Sequence, residues 1–563
     1  MQPRFCCRSA REDVNVLDVQ SNSMTPSMNI RPRLAAIAIF VLAIITHGLA
    51  TPATAGRASF NLVIVIDGLR PDSITPDDTP NLARLRREGV NFTNGHSVFP
   101  TVTRANAAAI GTGAYPNRNS IFGNSLYVRG VDPNRAFAND DHRNLLRLDV
   151  VTGGRMVTAK SLAEILSERG KTLAVIGSGS TGSTLLVSPR APRGTGVLVN
   201  GYWDPGTRVA FPDVVNEIVL RRFPAAPRPG GARDSFIPAV KWTQRVLGEY
   251  VLPDVKPDVI VDWITEPDHT QHAFGAGSPE ARAVIRDVDR EIGLLLDRLR
   301  QLNLTGQSNI IVVSDHGFGQ ETFGVDVTGE LIKVGLKAGP NSDDVVIASS
   351  GQAMALHVRN RDAARIASIV RFLQRQPWTG ALFTAAQPGA TAPIAGREPG
   401  TFALELVHLA QAERGPDIVL TFPWESSTNS FGLAGTNHAA AAVTGAIRGA
   451  DAGHGALSPW TVRNTFIAWG VDFKHAIVSN VPASNVDIAP TLLALMNLER
   501  DADTSSFDGR ALREAIIGGP DGEKLAVQVR THFIETADGT FRAALQVTEL
   551  DRQRYIDKAW RIR

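Results

Sequence analysis

Cysteine is almost missing from this chain: there are two in 563 residues, Cys6 and Cys7, both close to the start. From Gly56 onward there is none, which excludes a disulfide framework, a thiolate metal site and a cysteine nucleophile there. Any metal must then be held by nitrogen and oxygen ligands. An excess of one charge is also lacking, with 58 Lys+Arg against 56 Asp+Glu. Residues 1–56 hold five of the basic residues and three of the acids, so the remainder carries 53 of each sign and has no electrostatic footprint for nucleic acid. No Gly-x-Ser-x-Gly occurs, which argues against a serine hydrolase of the elbow type. Long apolar runs are absent with one exception, LAAIAIFVLAIITHGLA at 34–50. Arg31 and Arg33 precede it and Ala53-Thr54-Ala55 follows, so it reads as a signal peptide cleaved before Gly56, and it is short for a membrane anchor. A start at Met24 or Met28 would give that signal an ordinary length. The mature chain is expected to be periplasmic or secreted, without a stable membrane span.

What is present, with 43% hydrophobic and 20% charged residues, is enough apolar material for a large α/β unit. Strand and helix patterns alternate: LVIVID (62–67), TPNLARLRREG, SLAEILSERG, TLAVIG (172–177), PDVIVDWI (257–264), ARAVIRDVDREIGLLLDRLRQL (281–302) and IIVVSD. This alternation predicts a parallel sheet with helices on both faces. Residues 57–320 are expected to form the first part of the core, and 436–505 the second part, through the strand NTFIAWG and the helix VDIAPTLLALMNL. An α+β lobe is expected to be inserted between them at 321–435. Residues 506–563 read as antiparallel strands around an Asp538-Gly539 turn.

Several strands end in titratable groups. NLVIVIDG ends in Asp67, PDVIVDWITEPDHTQH runs into Asp268 and His272, and IIVVSDHG ends in Asp315 and His316. Ligands of open parallel sheets sit outside the carboxyl ends of the strands, and all five residues fall there. Singly, a strand-ending Asp is a helix cap and a lone His an ordinary polar residue. Jointly, carboxylates delivered to one edge repel unless cations lie between them, and an Asp/His mixture suits zinc. FPTVTRANAAAIGTG places Thr103 at the start of a small-residue helix, where a hydroxyl can act as nucleophile beside an anion site. His454, in DAGHGALSPW just before the NTFIAWG strand, reaches the same edge and is preferred to its rival His438 in GTNHAAAA. GSGSTG (177–182) matches a dinucleotide fingerprint, but Pro189 and Pro192 are expected to cut off the required helix.

The set IDGLRPD, FPTVTRAN, EPDHTQH, SDHG and AGHG, in this order over about 60–500, resembles the alkaline phosphatase superfamily, and most closely its type I phosphodiesterase/nucleotide pyrophosphatase branch. The resemblance implies an alkaline-phosphatase-like fold and two Zn2+. One would be held by Asp268, His272 and His454, the other by Asp67, Asp315, His316 and the Thr103 oxygen, with Asn124 of IFGN donating to the phosphoryl oxygen. It implies a small phosphate-ester substrate, such as a nucleotide, and a covalent phosphothreonine. A threonine hydroxyl is a poor nucleophile at neutral pH; zinc coordination lowers its pKa, so no separate general base is needed. The family's nucleophile usually continues with Phe-Pro-Asn, whereas here Arg104-Ala105-Asn106 follows. That departure leaves open a phosphomonoesterase or phosphonate hydrolase on the same scaffold, beside the more distant alternative of a silent metal-bound exported binding protein. Sulfatases of the superfamily use a cysteine-derived nucleophile, which the chain after Gly56 lacks.

Overall fold

A computed structural model describes residues 56–391, 393–440, 452–499 and 507–562. The signal-peptide reading and both cysteines lie outside these residues. Nine strands, β1–β9 in chain order, form the central sheet: β1 Phe60–Ile66, β2 Val90–Phe92, β3 Leu173–Gly177, β4 Val197–Asp204, β5 Arg208–Phe211, β6 Val259–Ile264, β7 Ser308–Val313, β8 Phe466–Gly470 and β9 Ile477–Ser479. Their spatial order is β9-β2-β8-β7-β1-β6-β3-β4-β5. The five strands β7, β1, β6, β3 and β4 are mutually parallel, as the alternation predicts. The strand NTFIAWG, read as a resumption of that sheet, is β8 and runs antiparallel to β7.

β1 is apolar on both faces because both are covered. Val63 and Val65 pack in one core with Ala107, Ala108 and Ile110 of helix α1 (Thr103–Thr112). Leu62, Ile64 and Ile66 pack in the other with Val284, Ile285, Val288 and Ile292 of helix α3 (Pro279–Gln301). This is the signature of a buried parallel strand. Val65 lies opposite Val313, and Ile66 opposite Ile264, so β1, β6 and β7 end level with one another. Three central strands therefore deliver their following residues to one edge. Among the described residues no helix is long and apolar enough to cross a membrane.

Beyond β7, a five-stranded sheet has the order 345–349, 353–358, 418–421, 382–384, 402–403, mostly antiparallel with the last pair parallel. It is thus a mainly antiparallel sheet carrying the helix Ala363–Gln374. The C-terminal strands are Val527–Glu535 and Arg542–Leu550 around the expected turn, with Gly539 at φ 67°. A third strand, Gln553–Ile562, completes that sheet; its polar, Arg-rich sequence hid it.

Candidate active site

The edge formed by β1, β6 and β7 holds the residues singled out from the sequence. Asp67 follows β1 and accepts a hydrogen bond from Trp263 Nε1 of β6 at 3.0 Å. Asp315 follows β7; its Oδ1 accepts from the backbone N–H groups of Gly68 and His316, each at 3.0 Å. Asp268 opens the helix α2 (Asp268–Phe274), and its N–H donates to the Asp67 carbonyl at 3.1 Å. One turn later α2 presents His272 on the same side, with Nε2 at 3.5 Å from Asp268 Oδ1.

The three histidines share one arrangement. Nδ1 of His272 faces the Ala452 carbonyl at 2.8 Å, that of His316 the Gly317 carbonyl at 2.9 Å, and that of His454 the Thr101 carbonyl at 3.0 Å. A carbonyl oxygen only accepts, so each Nδ1 carries the hydrogen and each ring, when neutral, turns its Nε2 lone pair inward. There the lone pairs meet carboxylate oxygens. His454 Nε2 is 3.4 Å from Asp268 Oδ1, and His316 Nε2 is 3.2 Å from Asp315 Oδ2 and 3.5 Å from Asp67 Oδ1. Asp67 Oδ1, Asp268 Oδ1 and Asp315 Oδ2 are buried without a hydrogen-bond partner among the described residues. Acceptors crowded against acceptors repel unless protons or cations lie between them. The donor set, carboxylates and imidazoles preset by backbone carbonyls, fits zinc. The ligand atoms of Asp268, His316 and His454 lie within 4.8 Å of one another, as do those of Asp67, Asp315 and His316. His316 therefore stands between the two groups, whereas His272, half-exposed, lies beside the first, near Asp268 and with its ring 5.1 Å from that of His454.

Electrostatics agree with this crowding. Burial, reinforced by Asp315 and Asp268, raises the Asp67 carboxyl well above the usual range. Burial and the charge of Asp268 push Asp315 up to about 7. Burial also opposes ionisation of Asp268, but the positive charge that His272, His454 and His316 bring when protonated outweighs that and holds it below the usual range. His316 is kept neutral by burial and by its neighbour His454, whose ring stacks on it at 3.6 Å.

Thr103 occupies the first position of α1, with Oγ1 at 3.3 Å from His316 Nε2. The helix is nearly all small residues, and this lets it press close. A Cβ on Gly111 would stand 2.6 Å from the Val187 carbonyl oxygen. Asn124 Oδ1 accepts the Arg104 N–H at 3.0 Å, so the opposite face of its amide, Nδ2, is left to donate. His438 lies on the strand Ala434–Ala440, its ring 5.5 Å from that of Phe323 and outside both clusters.

Several supporting residues were not read from the sequence. Asn485 Nδ2 donates to Asn106 Oδ1 of α1 at 2.8 Å and to the Asp315 carbonyl at 3.0 Å, tying the helix that carries Thr103 to the end of β7. Thr101 holds the His454 loop by its carbonyl and by accepting from Gly455 N–H. Ser350, in the turn between strands 345–349 and 353–358, accepts the Asn124 N–H at 3.3 Å, and Gln352 N–H donates to the His454 carbonyl at 3.2 Å. Gly455, at φ 111°, leaves no room for a Cβ against the Ser350 carbonyl. Trp263 was the one detectable in principle, because a buried indole N–H needs an acceptor. The helix expected to be lost after GSGSTG does form, as Thr181–Val187, ending before Pro189; residues 179–181 line a cavity of about 470 Å³ with Tyr202 and Phe236.

A family model described as Type I phosphodiesterase / nucleotide pyrophosphatase matches residues 61–421, which takes in every residue above except His438, His454 and its neighbours, and Asn485. Venom phosphodiesterase 1 of Crotalus adamanteus is 26% identical over 276 residues, 48% of this chain and 27% of that enzyme. Ectonucleotide pyrophosphatase/phosphodiesterase family member 1 of Homo sapiens is 25% identical over 264 residues, 46% of this chain and 23% of that protein. The matched stretch thus spans about a quarter of the length of these relatives. Murine ectonucleotide pyrophosphatase/phosphodiesterase 5, solved as an inactive threonine-to-alanine variant in complex with AMP, shares the fold with a TM-score of 0.51 at 17% identity, over 78% of this chain and 95% of that one. The chain belongs to the type I phosphodiesterase/nucleotide pyrophosphatase family.

Proposed function

We propose that the protein is an exported, zinc-dependent hydrolase of phosphoric diesters and nucleotide pyrophosphate bonds, with Thr103 as nucleophile. The observation that carries this reading is the ring of buried acceptors unpartnered among the described residues, on Asp67, Asp268 and Asp315 with three inward imidazole nitrogens, beside the Thr103 hydroxyl. Asp67, Asp315, His316 and Thr103 would hold one zinc ion and Asp268, His272 and His454 a second. Bound there, zinc supplies the Lewis acidity that lowers the pKa of a hydroxyl and offsets charge on phosphoryl oxygens. Thr103 Oγ1, fixed at the first turn of α1, attacks phosphorus in line and forms an ester bond to it while the alcohol or nucleotide oxygen leaves on the far side. Asn124 Nδ2 donates to a phosphoryl oxygen as negative charge builds on it. Water then attacks the phosphothreonine in a second in-line step, releasing phosphate product and restoring the hydroxyl. Export rests on the 34–50 run and its flanks.

Hydrolysis of bis-p-nitrophenyl phosphate by purified protein tests this. Thr103→Ala is expected to lower turnover by several orders of magnitude, while metal analysis finds zinc retained. Thr103→Ser keeps the attacking oxygen and is expected to retain substantial activity. Full activity in Thr103→Ala would remove the nucleophile from the scheme.

A further inference from the structure

The residue after the nucleophile carries a charge that the protein leaves unanswered. Arg104 is half-buried and its Nε is buried, yet among the described residues its guanidinium has no hydrogen bond, carboxylate or aromatic partner. The other arginines with a buried unpartnered nitrogen differ. Arg169 also donates to the Ile165 carbonyl, Arg414 to the carbonyls of Arg155 and Met156, and Arg463 to Asp557. A guanidinium that has given up part of its hydration without a counter-anion is unfavourable, and the planar fork of an arginine suits phosphoryl oxygens. The backbone of Arg104 is fixed as well, since its N–H is held by Asn124 Oδ1. The side chain therefore starts from the residue next to Thr103, on backbone held by the Asn124 amide. A simple diester brings one negative charge on its phosphorus; a monoester or a pyrophosphate brings more.

We infer that Arg104 is a specificity-determining residue whose guanidinium takes a second negative charge on phosphoryl oxygens, favouring monoesters and pyrophosphates over plain diesters. The inference rests on the reading of Thr103 as nucleophile. The charge can sit on the reacting phosphorus or on an adjoining phosphate, and two substrates separate these sources.

The experiment measures kcat/KM of wild type, Arg104→Gln and Arg104→Lys on p-nitrophenyl phosphate, ATP and bis-p-nitrophenyl phosphate. In Arg104→Gln the selectivity for p-nitrophenyl phosphate or for ATP over the diester is expected to fall about 10- to 100-fold, the range of a charge-assisted hydrogen bond. Arg104→Lys, which keeps the charge and loses the fork, is expected to fall between. A drop confined to p-nitrophenyl phosphate puts the contact on the reacting phosphorus; one confined to ATP puts it on the adjoining phosphate. Unchanged selectivity for both, including an equal loss on all three substrates, overturns the inference. If wild type hydrolyses none of the three, the hydrolase reading fails, and titration calorimetry of inorganic phosphate into the zinc-loaded proteins decides the arginine separately. Affinity weakened about tenfold in Arg104→Gln supports it and equal affinity overturns it. Circular dichroism checks that each variant is folded, and Arg104→Lys carries both readouts if Arg104→Gln is not.

Discussion

His454 and His438 carry the same imidazole, and what separates them is the atom each faces. His454 gives its Nδ1 hydrogen to the Thr101 carbonyl and points Nε2 at Asp268, whereas His438 packs by Phe323 away from both clusters. His454→Ala is accordingly expected to lower zinc content by about one ion per chain, or to weaken that ion by more than the roughly 10–100-fold that loss of an outer hydrogen bond costs. His438→Ala is expected to match wild type when both are measured by metal analysis after dialysis. The reverse result would move the second metal group. At this scale Asp67, Thr103, Asp268, His272, Asp315, His316 and His454 were legible because each is a chemically distinctive residue that interrupts an apolar pattern at a strand or helix end. Asn485, Thr101 and Ser350 were not, because an amide or hydroxyl in a loop has many uses and only three-dimensional contact shows which one applies.

The strands themselves are the elements read most securely. β1, β6 and β7 are continuous apolar runs because helices cover both sides, and their parallel direction follows from the helices that intervene. The antiparallel β8 was beyond reach, since direction is decided by where the chain returns from, not by the composition of FIAWG. The middle of β6 holds an exception to its apolar pattern. Asp262 is fully buried, and among the described residues its carboxylate is bonded by Gln244 Nε2 at 2.7 Å. Burial pushes its carboxyl up to about 7. Because the folded pKa is raised, the stabilisation from holding the proton is complete below the unfolded value of about 4 and is lost as pH rises toward and through the folded one. Asp262→Asn cannot titrate and still accepts from Gln244. Urea unfolding is expected to show wild type losing stability between about pH 5 and about pH 8 and Asp262→Asn losing less. Identical pH profiles would show that Asp262 does not hold the proton.

Across the whole molecule, the candidate site draws on segments near residues 67, 103, 124, 268, 315 and 454, so only the folded chain assembles it. Cations that bind the fold and not the unfolded chain stabilise it by mass action, about 4 kcal/mol per site at a thousand times the dissociation constant. Chelation is therefore expected to lower the melting temperature and zinc to restore it. The drop should grow from about pH 6 to about pH 8. Below that range a proton on Asp315 relieves the repulsion among the carboxylates, and above it that proton is lost as its raised pKa is passed. A chelation effect that is absent, or that shrinks with rising pH, would contradict a cation site built on these carboxylates. The central claim, that Thr103 forms a covalent bond to phosphorus, is tested most directly by the stereochemical course of hydrolysis of a chiral phosphorothioate diester in labelled water. Two in-line displacements, each inverting, predict net retention at phosphorus; net inversion would mean that water attacks the substrate directly and that Thr103 is not the nucleophile.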